Sequence, residues 1–248
     1  MSNSFLTAEE LHPAQFRPKW LSAVRYSSVY DWTTRLIVAL VFATATFGNV
    51  SWIIHALTNG THQPLDHTLL NMAARGSSAL FVALTAATTL TRLAPLRKSA
   101  GIEPRVVALL GTFLVCAPAF LPRAELPPIV LAISSLFVIV GMLMSFAVLR
   151  WLGRAFSIMP EARRLVTHGP YRVVRHPLYI CEEVAVIGVF IQVLSPLAVF
   201  IFIMHAVFQV RRMLNEETVL EGTFPEYAEY ARRTPRLIPF GRHARPKP

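Results

Sequence analysis

Four stretches of the chain are apolar almost without interruption: residues 36–57, 76–93, 106–121 and 129–149. Each comes near the roughly 20 residues a helix needs to cross a hydrocarbon core, so each predicts a transmembrane helix. A further apolar region, residues 178–210, is too long for one span, and Ser195-Pro196 interrupts it near the middle. Proline lacks a backbone donor and disfavours helix in the residue before it. The region therefore predicts two shorter helices folded into a hairpin. The expected fold is all-α, a polytopic membrane helical bundle of about six membrane segments. Its last two segments form the Pro-broken hairpin, and a helical cap follows at the C-terminus.

The polar positions between these segments set the orientation. Residues 58–67 carry no Lys or Arg, whereas residues 94–105 carry Arg97, Lys98 and Arg105. Residues 122–128 carry one arginine, and residues 150–177 carry Arg150, Arg154, Arg163, Arg164, Arg172 and Arg175. This alternation follows the positive-inside rule. Both termini, the 150–177 loop, the open end of the hairpin and the C-terminal cap are expected on the cytosolic side, in a bacterial inner membrane. Arg75, just before the second apolar stretch, reads as a side chain snorkelling at the outer boundary.

Composition agrees with this picture. The 248 residues are 54% hydrophobic and 15% charged, with a mean hydropathy of +0.47, too apolar for an ordinary soluble domain. The net charge of +10 does not point to nucleic acid, because the basic residues sit in loops and not on one aromatic-rich face. Residues 1–34 mix acidic, basic and aromatic groups without the form of a signal peptide, and read as a cytosolic or interfacial arm. Residues 35–149 form a four-helix region and residues 150–248 a catalytic region. Cys116 and Cys181 lie in or beside apolar segments, which supports neither a disulfide nor a zinc cluster, and no metal is expected. Nothing in the sequence implies a protein partner.

Chemistry concentrates at the open end of the hairpin. If the chain turns at Ser195-Pro196, residues whose numbers sum to about 391 lie level, since both arms rise about 1.5 Å per residue. Arg175 then meets Glu216, His176 meets Asn215, and Arg212, on the same helical face as Glu216, meets Tyr179. Pro177 suits a first helical turn, and Glu182 and Glu183 read as helix-terminus charges. Cation, imidazole, phenol and carboxylate converge where an apolar cavity would open to the cytosol. A zwitterionic cofactor with an aromatic base would use a carboxylate (Glu216 or Glu217), donors at His176 and apolar or aromatic walls at Pro177, Tyr179 and Tyr171. S-adenosylmethionine has those parts.

The stretches LGRAFSIMPEARRLVTHGPYRVVRHPLY (152–179) and NEETVLEGTFPEYAEYARRTPRLIP (215–239) resemble the integral membrane isoprenylcysteine carboxyl methyltransferases and their phospholipid-methyltransferase-like relatives. The order LVTxGPYRxxRHPxY, hairpin, EExxL, EYxxY, PRLIP carries the likeness over roughly the C-terminal 40% of the chain. The resemblance implies S-adenosylmethionine as methyl donor in a cytosol-facing pocket. A lipophilic small molecule would enter from the bilayer as acceptor. It implies cofactor contacts at Leu165, Val166, Tyr171, His176, Pro177, Leu178, Tyr179 and Glu216 or Glu217. Arg212 would steer the acceptor, beside Arg175. The chain departs from the family in having Phe224-Pro225-Glu226-Tyr227 where Phe-Gly-x-Glu-Tyr is usual, and Ile180-Cys181-Glu182-Glu183 where a small residue is usual.

Two other readings compete. In an NADPH-dependent membrane reductase, Arg232, Arg233 and Arg236 would bind phosphate; otherwise they form a basic tail near anionic lipid headgroups. A transporter or lipid-binding protein is disfavoured by the shortage of ionisable residues deep in the helices.

Overall fold

The computed structural model describes residues 28–61 and 64–238; most of the expected N-terminal arm and the last ten residues lie outside that range. Among the described residues seven α-helices follow in order: α1 (Ser28–Asn59), α2 (Leu65–Thr91), α3 (Glu103–Phe113), α4 (Pro128–Leu152), α5 (Pro177–Ile191), α6 (Pro196–Glu221) and α7 (Tyr227–Arg233). Five of these described segments are long and apolar enough to cross a membrane: α1, α2, α3 with its continuation to Phe120, α4 and α6. Their outer faces carry exposed side chains such as Leu40, Phe47, Phe200 and Ile203, as expected where lipid replaces water. The protein is an integral membrane helical bundle.

Three boundaries differ from expectation. α1 begins at Ser28, so residues 28–34 belong to a helix and not to the arm. α2 begins at Leu65, eleven residues before Gly76; Arg75 is therefore not at the helix boundary but inside α2, where its guanidinium lies 4.4 Å from the centre of the Trp52 ring. That cation–π contact holds the charge against α1. The third apolar segment is not one α-helix: after Phe113 it tightens into a 3-10 helix over Leu114–Phe120 with Pro118 inside it, because the proline ring obstructs the carbonyl one turn earlier.

The hairpin forms at the predicted place. Ser195 is extended and its hydroxyl accepts from Ala198 N at 3.2 Å, while Pro196 opens α6. Pro177 likewise opens α5. α5 has only 15 residues, about 22 Å of rise. Its end still reaches the α3–α4 connection: Ala124 N donates to Gln192 O at 3.0 Å. α6, at 26 residues, is not one of two short helices but a full span.

The two arms choose different neighbours: α5 lies along α4, and α6 along α3. Small residues explain the first pairing. A Cβ on Gly141 of α4 would fall 2.4 Å from Ala185 N, and one on Gly188 would fall 2.6 Å from Ser134 O. Ser134 Oγ also donates to Gly188 O at 2.9 Å. Such close contact is a usual means of helix association where burial from water supplies no drive. On the other side Gly111 of α3 faces Gln209 and the Phe208 backbone of α6. The arms therefore diverge toward the open end of the hairpin and touch chiefly through long side chains.

A two-residue antiparallel ladder, β1 (Arg97–Lys98) with β2 (Glu161–Ala162), ties the connection after α2 to the one after α4. Leu96 N to Ala162 O (2.7 Å), Ser99 N to Pro160 O (3.1 Å) and Leu93 N to Arg154 O (2.9 Å) extend it. At the same end Asp31 accepts from Arg35 at 2.6 Å and Arg92 at 3.2 Å. All three are buried. The connections after α2 and α4 are thus pinned to each other and to α1.

Candidate active site

The gap between α5 and α6 is a cleft with two joined lobes that share Tyr171, Arg175, His176 and Glu216 in their walls. The first lobe runs toward the hairpin and adds Phe156, Met159, Leu178, Tyr179, Glu182 and Arg212. The second runs under the C-terminal segment and adds Arg163, Arg164, Leu165, Val166, Tyr227 and Tyr230.

Register in the hairpin brings the separated motifs together. The Tyr179 hydroxyl donates to Glu216 Oε2 at 2.9 Å, and the Arg212 guanidinium lies 5.2 Å from the Tyr179 ring centre. Arg212 is buried and its Nη1 reaches Gln209 Oε1 at 3.5 Å. The pairing Arg212 with Tyr179 matches the level arithmetic. The other two expected levels slip toward Glu217, which takes His176 Nε2 at 3.0 Å and Arg175 Nη1 at 3.1 Å.

Glu216 and Glu217 are therefore unlike neighbours. Glu217 is buried in ion pairs; besides His176 and Arg175 it accepts from Arg236 Nε at 3.0 Å and Arg236 Nη2 at 2.7 Å. Glu216 keeps its face to both lobes and, among the described residues, accepts one hydrogen bond, from Tyr179. Neither Pro177 nor Glu217 is among the cleft-lining residues. Pro177 starts α5, and Glu217 fastens the RHP turn to the chain end.

That chain end is a strap. After α7, Arg175 N donates to Pro235 O at 2.8 Å and His176 N to Arg236 O at 3.2 Å. Arg236 is consequently not a free tail cation, whereas Arg232 and Arg233 pair with exposed Glu229 on α7. The two α7 tyrosines close the second lobe. Tyr230 donates to Tyr171 O at 2.7 Å, and burial pushes its phenol up to about 12. Tyr227 is buried with its hydroxyl beside Arg175, and burial raises its phenol further. Tyr171, buried under Tyr230 and near Glu216, is also held well above the ordinary phenol range, chiefly by burial. These phenols stay protonated at any physiological pH; Tyr230 acts as a donor, and all three wall the second lobe.

Glu182 and Glu183 are not mere helix-terminus charges. Glu182 lines the first lobe, and Glu183 Oε1 lies 2.9 Å from His205 Nε2. His205 sits well inside α6 and is almost fully buried, so the expected shortage of ionisable groups deep in the helices is not met. His205, Gln209, Arg212 and Glu216 succeed one another at four-, three- and four-residue steps, one polar face of α6 running up to the cleft. Tyr227, Tyr230 and Arg236 lie in the EYxxY and PRLIP motifs, so the signal for them is in the sequence. Nothing in the spacing distinguishes Arg163, Met159 or His205.

Residues 129–227 match the family model described as phospholipid methyltransferase. The membrane-methyltransferase resemblance therefore holds over this region, which contains α4 to α6 and nearly the whole cleft. A bacterial relative, the nickel-cobalt-cadmium resistance protein NccN of Alcaligenes xylosoxydans xylosoxydans, is 38% identical over 80 residues, 32% of this chain and 38% of its own length. The cobalt-zinc-cadmium resistance protein CzcN of Cupriavidus metallidurans is 36% identical over 114 residues, 43% of this chain and 51% of its own. Protein-S-isoprenylcysteine O-methyltransferase B of Arabidopsis thaliana is 33% identical over 95 residues, 36% of this chain and 48% of its own. The chain spans about half or less of the length of these curated relatives. Among the described residues no group of three or more His, Cys, Asp and Glu is arranged to hold a metal ion.

Proposed function

We propose that the protein is an S-adenosylmethionine-dependent methyltransferase of the membrane, acting on a lipophilic acceptor that reaches the cleft from the bilayer at its cytosolic face. The observation that carries this reading is the convergence of Tyr179, Arg212 and Glu216 from two helices in a cleft whose other lobe is walled by Leu165, Val166 and Tyr171. The mixture suits a zwitterion with an aromatic base: Glu216 offers a carboxylate with acceptor capacity to spare, and the second lobe offers apolar and phenolic walls. The matched family model and the isoprenylcysteine methyltransferase similarity support the same class.

When bound, the cofactor supplies a methyl group on a sulfonium, a group that needs positioning more than acid or base assistance. Glu216 would orient its amino-acid end. Tyr179 fixes the Glu216 carboxylate by its hydroxyl, and Arg212, stacked on the Tyr179 ring, presents a cation to the acceptor side. The Glu217 ion pairs hold Arg175, His176 and the strap in place beside the cleft. Both termini and the cleft would face the cytosol, given the loop charges.

Calorimetric titration of S-adenosylmethionine into the detergent-solubilised protein tests this, with Glu216→Ala and His176→Ala variants and NADPH as competitor. Saturable binding, weakened in both variants and indifferent to NADPH, is expected. A folded wild type that binds no S-adenosylmethionine would overturn the reading. The reductase reading is weaker because Arg236, one of its three phosphate ligands, is already held by Glu217.

A further inference from the structure

The first lobe holds a carboxylate that has no partner of its own. Glu182 lies three residues beyond Tyr179 on α5, on the same helical face and about one turn deeper, and it sits half-buried in the lobe's wall. Its charge acts on the groups gathered there: Arg212, Glu216 and His205 of α6, Glu183 and Tyr179 of α5, and Tyr171 on the turn before α5. Among the described residues its oxygens make neither a hydrogen bond nor an ion pair. A carboxylate held away from bulk water without a counter-charge is costly, and such a group calls for an explanation. Glu182 falls in the Ile180-Cys181-Glu182-Glu183 stretch where the chain departs from the family pattern, so the resemblance brings no role for it.

The other groups of this lobe that could accept a proton are already engaged. Glu161 pairs with Arg163 and Lys98, His176 faces Glu217, and Glu216 accepts from Tyr179 and would take the ammonium of the cofactor. Glu182 is left over, and its chemistry sorts the possible acceptors. A carboxylate nucleophile is already an anion, has no proton to lose and would be set against the Glu182 charge. An amine arriving as ammonium gains a counter-ion there. In an apolar setting the neutral carboxyl and neutral amine are also less costly to hold than the two ions, so the pair favours moving the proton to the carboxylate.

We propose that Glu182 receives the methyl acceptor and takes its proton, and that the acceptor is an amine head on an apolar tail and not a carboxylate. A Glu182 oxygen accepts a proton from R–NH3+, leaving a neutral carboxyl and R–NH2. The nitrogen lone pair forms a bond to the methyl carbon as the carbon–sulfur bond breaks and leaves its electron pair on sulfur. The product departs as R–NH2+–CH3, and the proton on Glu182 passes to water as the cleft empties. This inference rests on the methyltransferase reading and adds to it the class of acceptor and the residue that activates it.

The test uses two probes of equal length, dodecylamine and dodecanoic acid, which at about pH 7.5 are a cation and an anion. Each is titrated calorimetrically into the full-length detergent-solubilised protein saturated with S-adenosylhomocysteine, with empty micelles as the blank. Charge-assisted hydrogen bonds of this kind are worth roughly 10- to 100-fold in affinity, and the wild type should prefer the amine by that factor. In Glu182→Gln the preference should fall to about threefold or less, while the affinity for S-adenosylhomocysteine stays within about twofold, as independent sites require. Methyl transfer from S-adenosylmethionine to dodecylamine should occur in the wild type, with kcat lowered roughly 100-fold or more in Glu182→Gln by loss of the proton acceptor. A wild type that binds neither probe or favours dodecanoic acid, a preference untouched in Glu182→Gln, or bound dodecylamine that is never methylated would each overturn the proposal. If Glu182→Gln does not fold, Glu182→Asp decides: the shorter carboxylate should keep the amine preference and lower kcat roughly tenfold, and an unchanged kcat overturns the role. If S-adenosylhomocysteine does not bind the folded wild type, the methyltransferase reading itself falls. Cofactor binding without amine preference removes only the role of Glu182.

Discussion

Two adjacent glutamates with different surroundings should separate stability from binding. Glu217 has a side chain 10% exposed and pairs with Arg175, at 12%, and Arg236, at 44%. Glu217→Gln preserves the shape and removes the charge, leaving Arg175 and the strap without their counter-ion. Breaking a buried ion pair by removing one partner costs about 3–5 kcal/mol. The Arg236 share is discounted toward the roughly 0–1 kcal/mol of surface pairs because nearly half of that side chain is in water. The net expectation is about 2–3 kcal/mol, a melting-temperature fall on the order of 5–10 °C for a chain of this size. Glu216→Gln touches one hydrogen bond, which a glutamine oxygen can still accept from Tyr179, so stability should move by about 0.5 kcal/mol or less. Thermal unfolding in detergent gives the first quantity and titration with S-adenosylhomocysteine the second. Glu217→Gln should melt early yet bind when folded, and Glu216→Gln should melt normally and bind weakly. The reverse pattern, a normally melting Glu217→Gln that has lost binding beside a Glu216→Gln that retains it, would refute the division of roles.

Three other outcomes follow from the packing. Gly188→Val would drive a side chain to within 2.6 Å of Ser134 O and 2.9 Å of Val138, and the overpacking should cost on the order of 1–3 kcal/mol in thermal unfolding, with Gly188→Ala milder. His205→Leu and Glu183→Leu should each destabilise by leaving one partner alone in an apolar setting, whereas the double variant should recover most of the loss; a double variant as unstable as the sum of the singles would count against the pairing. Tyr230 keeps its proton up to about 12, while an unfolded phenol releases it near about 10. Stability from this group should therefore be complete below about pH 10 and decline as pH rises from there toward 12. Melting temperatures on either side of the lower value, at about pH 9 and about pH 11, check it, with a smaller difference expected in Tyr230→Phe.

Much of the fold is legible because membrane spans are written in long apolar runs, and the hairpin because Ser195-Pro196 combines a capping hydroxyl with a first-turn proline. The features that escape the sequence do so for local reasons. The start of α2 is obscured by polar residues: Asp66 and His67 in its first turn, and Arg75, which a helix tolerates there because the Trp52 ring covers it. The 3-10 turn over Leu114–Phe120 is hidden because Pro118 sits in an otherwise apolar run. In the site, equal rise along two arms brings Arg212 to Tyr179, yet cannot choose between Glu216 and Glu217, since one residue of slip rotates a helix by about 100°. The role of Arg236 is concealed because a basic residue near a chain end reads as tail until its acceptor is seen.

The width of the cleft has its origin outside the motifs. Gly141, Gly188 and Ser134 let α5 approach α4 to backbone contact, while Gly111 seats α6 on α3. Because the arms are drawn to different partners, the space between them at the open end of the hairpin is bridged by long polar side chains: His176 to Glu217, Tyr179 to Glu216 and, deeper, Glu183 to His205. Apolar residues of ordinary length would leave that gap open or pull it shut. The ionisable groups near the start of α5 thus serve as struts between the two arms. That use accounts for their position at the edge of an apolar helix, where charge is otherwise costly to hold.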